Sequence, residues 1–144
     1  MKDKKNNSDI KGKEIIIDAS NGILGRIASY AAKQAMLGKN VIIVNCNNAL
    51  LTGRKRMVIE EYGIARRRGG TSLNGPHFPK HPERLFKRTV RGMLSYTQQR
   101  GLDALKRITC YNSVPKEYES TDKISLSRQT KSKTITLSEL SKEI

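Results

Sequence analysis

The chain has 144 residues, room for one domain with its own core, and its 28 Lys and Arg against 13 Asp and Glu leave a net charge of +15. That excess draws anionic polymers to the surface. No apolar run approaches the ~20 residues that a bilayer span needs, so no membrane partner is expected, and the opening MKDKKNNSD lacks the apolar core of a secretion signal.

Residues 1–13 are rich in Lys, Asn and Asp without apolar periodicity, which predicts a mobile N-terminal tail. Glu14 to Asp18 (EIIID) predicts the first strand. Leu24 to Leu37 then carries Leu24, Ile27, Ala28, Ala31 and Ala35 on one helical face, and Gly38 stops the helix. Val41 to Asn45 (VIIVN) is apolar without alternation, as a parallel strand covered on both faces would be. Strand, helix and strand make a right-handed βαβ unit. Ala49 to Thr52 is a candidate third strand, and Arg54 to about Arg67 predicts a second helix.

Residues 69–82 (GGTSLNGPHFPKHP) predict a loop, because their glycines and prolines forbid regular structure. Pro82 opens a helix running to about Tyr96. A shorter helix over Leu102 to Arg107 leads into a last strand, Ile108 to Asn112. Residues 14–118 thus predict a single α/β domain, and residues 119–144 a polar extension. In that extension Thr136 and Glu139 have capping-box spacing, which predicts a short terminal helix.

The charge is uneven. Residues 54–107 hold 14 basic and 4 acidic side chains, net +10 of the total +15. On a wheel of ~100° per residue, Arg84, Lys87, Arg88 and Arg91 form one stripe. Leu85, Phe86, Thr89, Val90, Met93 and Leu94 fall opposite, and Glu83 lies between. Like charges at i, i+4 cost a free helix a few tenths of a kcal/mol each, which a row of phosphates would offset. Arg54, Lys55 and Arg56 open the second helix, Arg66, Arg67 and Arg68 close it, and Lys80 and His81 precede the cationic helix. Arginine dominates here, and its planar fork suits phosphates in pairs of hydrogen bonds.

With two Phe, five Tyr and no Trp, the chain can build few stacking platforms for single strands. It also lacks a helix rich in Asn, Gln and Ser for reading DNA base edges. Recognition of a folded RNA through phosphate position and shape fits better. The segment Asp18 to Gly25 (DASNGILG) follows a strand as a dinucleotide loop would. Its glycines, however, are not spaced G-x-G-x-x-G, and Asn45 stands where a ribose-binding carboxylate is expected. An RNA-modifying enzyme with a nucleotide or methyl-donor site at the Gly22/Gly25 loop is the rival reading. His77 and His81 flank Pro79 without a third ligand, so no metal is expected. Cys46 and Cys110 lie outside any CxxC pair and read as buried thiols. No catalytic constellation, cofactor or small-molecule substrate is expected.

Four segments carry a resemblance: Asp18 to Ser29 (DASNGILGRIAS), Val44 to Gly53 (VNCNNALLTG), Gly75 to Leu94 (GPHFPKHPERLFKRTVRGML) and Ala104 to Pro115 (ALKRITCYNSVP). In this order they resemble the universal large-subunit ribosomal protein thirteen family over roughly residues 14–118. Gly75 to Leu94 is similar to the archaeal and eukaryotic branch, and the ending to archaeal members. Cys46 departs from the Ala of many relatives. The resemblance implies a three-layer α/β/α fold with a four-stranded, mostly parallel sheet of order 3-2-1-4. It also implies a structural, non-enzymatic role in the cytoplasmic large ribosomal subunit. Its partners would be large-subunit rRNA and neighbouring ribosomal proteins, and it would support subunit assembly. The RNA-facing candidates are then Arg26, Arg54, Lys55, Arg56, Arg66, Arg67, Arg68, His77, Lys80, His81, Arg84, Lys87, Arg88, Arg91, Arg100, Lys106 and Arg107.

Overall fold

In the computed structural model, residues 14–68, 77–127 and 130–144 are described. The expected N-terminal tail and residues 69–76 of the Gly–Pro loop lie outside them. Strand β1 (Glu14–Asp18) feeds helix α1 (Leu24–Met36), and β2 (Asn40–Val44) pairs parallel with β1, Ile16 opposite Ile42. This is the βαβ unit that periodicity predicts. The α1 stripe of Leu24, Ile27, Ala28, Ala31 and Ala35 is wholly buried. Its alanines bring the helix close to α3 (Pro82–Gly92) and α4 (Gln99–Lys106), which pack beside it. Gly38 takes φ +88°, Lys39 N–H donates to Gln34 O at 3.2 Å and Gly38 N–H to Ala35 O at 3.1 Å, a Schellman ending.

Four residues of β2, Val41 to Val44, are buried in succession, so the strand is covered on both faces. Its other neighbour is β4 (Ile108–Cys110), also parallel, while β5 (Ile124–Ser125) lies parallel on the far side of β1. The sheet order is β4-β2-β1-β5. Counting only this sheet's strands along the chain, that is the expected 3-2-1-4.

Two of those places are filled differently from the sequence reading. The Ala49–Thr52 run does form strand β3 (Leu50–Thr52), but it leaves the sheet and pairs antiparallel with β6 (Thr134–Thr136) in a separate ribbon. The sheet's fourth strand is β5, only two residues long and exposed, which offers no hydrophobic alternation to read. Helix α2 (Lys55–Arg67) agrees with expectation. Helix α3 stops at Gly92 rather than Tyr96. Met93 and Leu94 N–H groups bond to Val90 and Arg91 carbonyls in a tightened last turn, and Met93 points outward at 46% exposure while Leu94 is buried. Helix α4 begins at Gln99, three residues early, and β4 ends at Cys110.

The terminal helix α5 (Leu137–Glu143) is present, with Thr136 Oγ1 accepting from Glu139 N–H at 3.2 Å. Its Leu137 and Leu140, with Ile135 of β6, join the main core cluster around Phe86, Ile27 and Ile43. Cys46 is buried. A hydrogen bond with the Cys110 thiol, then burial, push the Cys46 thiol far up, so it stays protonated.

Candidate nucleic-acid interface

Helix α3 presents the cationic stripe because its other face is committed to the core. Pro82, Leu85, Phe86 and Val90 are buried, and Thr89 Oγ1 donates to Leu85 O at 3.1 Å. The N-terminus is held from β4's end: Asn112 Oδ1 accepts from Glu83 N–H at 3.0 Å. Asn112 thereby fixes where the stripe begins. Arg84, Lys87 and Arg91 are exposed. Arg88 is half-buried: its guanidinium lies over the Phe78 ring at 3.9 Å, and its Nη1 donates to His77 O at 3.3 Å. Arg91 lies over Tyr96 at 4.6 Å. Both distances are within cation–π range, so two of the four cations are restrained by a ring of this chain. None of the four forms an ion pair among the described residues, where the one such pair joins Lys106 to Asp103 at 3.7 Å.

Together His77, Pro79, Arg84, Lys87, Arg88, Arg91 and Leu105 line a shallow groove. The structure thus brings His77 beside the stripe. Lys80 and His81 are exposed next to it, His81 being the residue that precedes α3. Arg26, Arg100 and Lys106 are exposed on α1 and α4. Arg54, Lys55 and Arg56 are exposed at the start of α2. Arg66 donates to the Ile144 carbonyl and Arg67 Nε to Gly63 O at 3.2 Å, both at the far end of that helix, which Arg68 ends. Arg107 does something else. It is half-buried and its Nη1 donates to Ala35 O at 3.2 Å, satisfying the last turn of α1. Sequence reasoning missed Phe78 and Tyr96 as supports and Asn112 as a cap. Only the Tyr96 pairing had a local trace, five residues after Arg91, and it needs the helix to end at Gly92.

At the Gly22/Gly25 loop, Asn21 and Gly22 are tied to Ala19 and to the Asn48–Leu50 segment. Gly22 N–H donates to Ala19 O at 3.2 Å, Gly22 O accepts from Leu50 N–H at 2.8 Å, and Asn21 N–H donates to Asn48 O at 3.2 Å. A Cβ on Gly22 would stand 2.5 Å from Ile27 Cδ1, so this glycine lets α1 pack close. Those N–H groups are spent inside the protein, which disfavours a phosphate cradle there. Asp18 turns inward beside the loop. Burial alone would raise its pKa, but Asn45 Nδ2 at 3.0 Å and Ser20 N–H at 3.0 Å outweigh that and hold the carboxyl below the usual carboxylate range.

Known proteins resemble this chain over most of its length. The family model described as ribosomal protein L13 matches residues 12–117. A protein of Archaeoglobus fulgidus named large ribosomal subunit protein uL13 is 43% identical over 133 residues, covering 88% of this chain and 85% of its own length. Its namesakes in Methanococcoides burtonii and Haloarcula marismortui are 40% and 38% identical, covering 90% and 91% of this chain and 96% and 90% of their own lengths. With the family model spanning most of the α/β fold and the relatives matching nearly end to end, the chain belongs to the ribosomal protein L13 family.

Proposed function

We propose that this protein is a structural constituent of the cytoplasmic large ribosomal subunit, that it binds large-subunit rRNA through its basic middle third, and that it supports assembly of that subunit. The observation that carries the reading is the α3 groove: four cations on one stripe, free of carboxylate partners among the described residues, with two of the guanidinium groups lying over aromatic rings. Such a surface matches a curved row of phosphates on a folded RNA. The relatives' name supplies the class of RNA. In this reading Arg84, Lys87, Arg88 and Arg91 form the centre. His77, Lys80 and His81 flank it, Arg26, Arg100 and Lys106 extend it, and the two arginine clusters of α2 add outlying contacts. Arg107 contributes to the fold more than to the RNA. Residues 14–118 carry the RNA-facing surface and 119–144 close the fold behind it. The role is architectural, with neighbouring ribosomal proteins around it and no reacting substrate.

Replacing Arg84, Lys87, Arg88 and Arg91 by Gln tests this. The variant is expected to keep its thermal transition, because none of the four side chains lies in the core. Affinity for large-subunit rRNA falls, and the slope of log K against log salt drops by ~0.7 to ~0.9 for each phosphate no longer neutralised. An unchanged slope would mean that the stripe is merely solvated. A duplex DNA competitor at the same salt separates RNA shape recognition from general polyanion binding.

A further inference from the structure

The outward face of α2 is chemically unlike the rest of the basic third. Met57, Glu60, Glu61 and Ile64 fall at i, i+3, i+4 and i+7, one stripe along the helix. Only Val58 of this helix is buried, with Ile59 and Tyr62 half-buried. Met57 is 63% exposed and Ile64 44%. With Ala65, Arg68 and Phe78 the four line a single groove. Glu60 and Glu61 are exposed, and among the described residues neither takes part in an ion pair. They are two of only four acidic side chains between residues 54 and 107.

In this groove two carboxylates outnumber the single guanidinium of Arg68, a balance opposite in sign to that of the α3 groove. Two adjacent carboxylates set against a phosphate backbone would lose affinity by like-charge repulsion. A second copy packed face to face would set a groove of the same net sign against this one. A cationic polypeptide meets neither objection. Its Lys or Arg side chains would pair with Glu60 and Glu61, and an apolar side chain would seat between Met57, whose flexible thioether adapts to a partner, and Ile64. The boundary between the two surfaces is Phe78. Its ring face carries Arg88 at 3.9 Å, and it meets the Tyr62 ring of α2 edge-on with centroids 6.2 Å apart.

We propose that the Met57–Glu60–Glu61–Ile64 face of α2 docks a basic segment of a neighbouring protein, so that this one face, between the arginine clusters at the two ends of the helix, is protein-facing while α3 is RNA-facing. The proposal rests on the ribosomal reading above and deepens it.

Site-specific photo-cross-linking tests it. Large subunits are assembled with p-benzoylphenylalanine in place of Met57, irradiated, and the cross-linked product is identified by mass spectrometry. The expected product joins α2 to a Lys- or Arg-rich segment of another polypeptide. Adding Glu60→Lys and Glu61→Lys is expected to lower its yield about fivefold. Cross-links to rRNA, to residues 69–76 of the same chain or to a second copy would each overturn the proposal. So would the lack of any polypeptide cross-link, or a yield indifferent to the charge reversal. The two readings fail separately: an unmodified chain that does not bind rRNA removes the ribosomal one, whereas a chain that binds rRNA but cross-links elsewhere removes only the docking face.

Discussion

Gly63 and Gly101 both sit inside helices, yet what surrounds them differs. A Cβ on Gly63 would find its nearest neighbour, Arg67 Nη2, at 3.6 Å, which is ordinary contact. Gly63→Ala is therefore expected to stabilise the fold by about 0.5–1 kcal/mol, the helix preference of Ala over Gly. A Cβ on Gly101 would stand 2.1 Å from Ser95 O and 2.5 Å from its carbonyl carbon. Backbone cannot step aside as a side-chain tip can, so Gly101→Ala is expected to cost about 1–3 kcal/mol or more by forcing α4 off the turn that ends α3. Urea midpoints for the two variants, read at equal m, should move in opposite directions. The sequence puts Gly63 inside an expected helix and Gly101 just before one, and it says nothing of what lies against either. The difference lies in a turn that crosses one of them. Arg107 teaches the same thing: as a letter it is one more cation, while in the fold its guanidinium closes α1 at Ala35.

At the scale of elements, the cationic stripe was legible because helical periodicity alone puts positions 84, 87, 88 and 91 on one side. What the wheel could not give is that these cations are not equivalent. Arg88 is tied to Phe78 and His77 O, whereas Arg84 and Lys87 are exposed on the same groove. Phe78→Ala is expected to leave α3 in place, since that helix is seated by Leu85, Phe86 and Val90. It removes the ring that orders Arg88, worth about 0.5–1 kcal/mol for a cation–π contact at an exposed site. rRNA affinity should then fall by roughly twofold to fivefold with the salt slope unchanged, because the number of cations is unchanged. A fall in slope as well would show that Phe78 acts by holding the whole stripe. Paired with the Gln variant, this separates charge count from charge placement.

For the whole molecule, the question is where the core ends along the chain. The composition after residue 119 is polar, yet Ile135, Leu137 and Leu140 are at most 1% exposed, β5 forms one edge of the main sheet, and β6 pairs with β3. A chain ending at Tyr118 is expected to lose cooperative thermal unfolding. Leu140→Ala in the full chain should cost about 2–5 kcal/mol, as buried leucines do. A truncated chain with an unchanged transition would mean that residues 14–118 fold without the extension. Differential scanning calorimetry of both variants decides it.

By itself the sequence determined the βαβ start, the buried β2, the placement of α1 to α3, the Thr136 cap, the concentration of charge and the family. All of these depend on spacing within one element or on motifs that run in order, and local spacing survives in a linear string. The tertiary structure decided which strand is fourth in the sheet, that Leu50–Thr52 leaves it for a ribbon with Thr134–Thr136, and that α3 ends at Gly92. It also decided that Phe78 sits under Arg88 and that Arg107 turns inward. These rest on contacts between distant parts of the chain. A two-residue exposed strand or a single ring carries no periodicity that would announce its partner. The charge that first pointed to RNA was read correctly from the letters. Its division into a cationic stripe on α3 and a carboxylate-bearing outer face of α2 became visible only once both helices were placed on either side of Phe78.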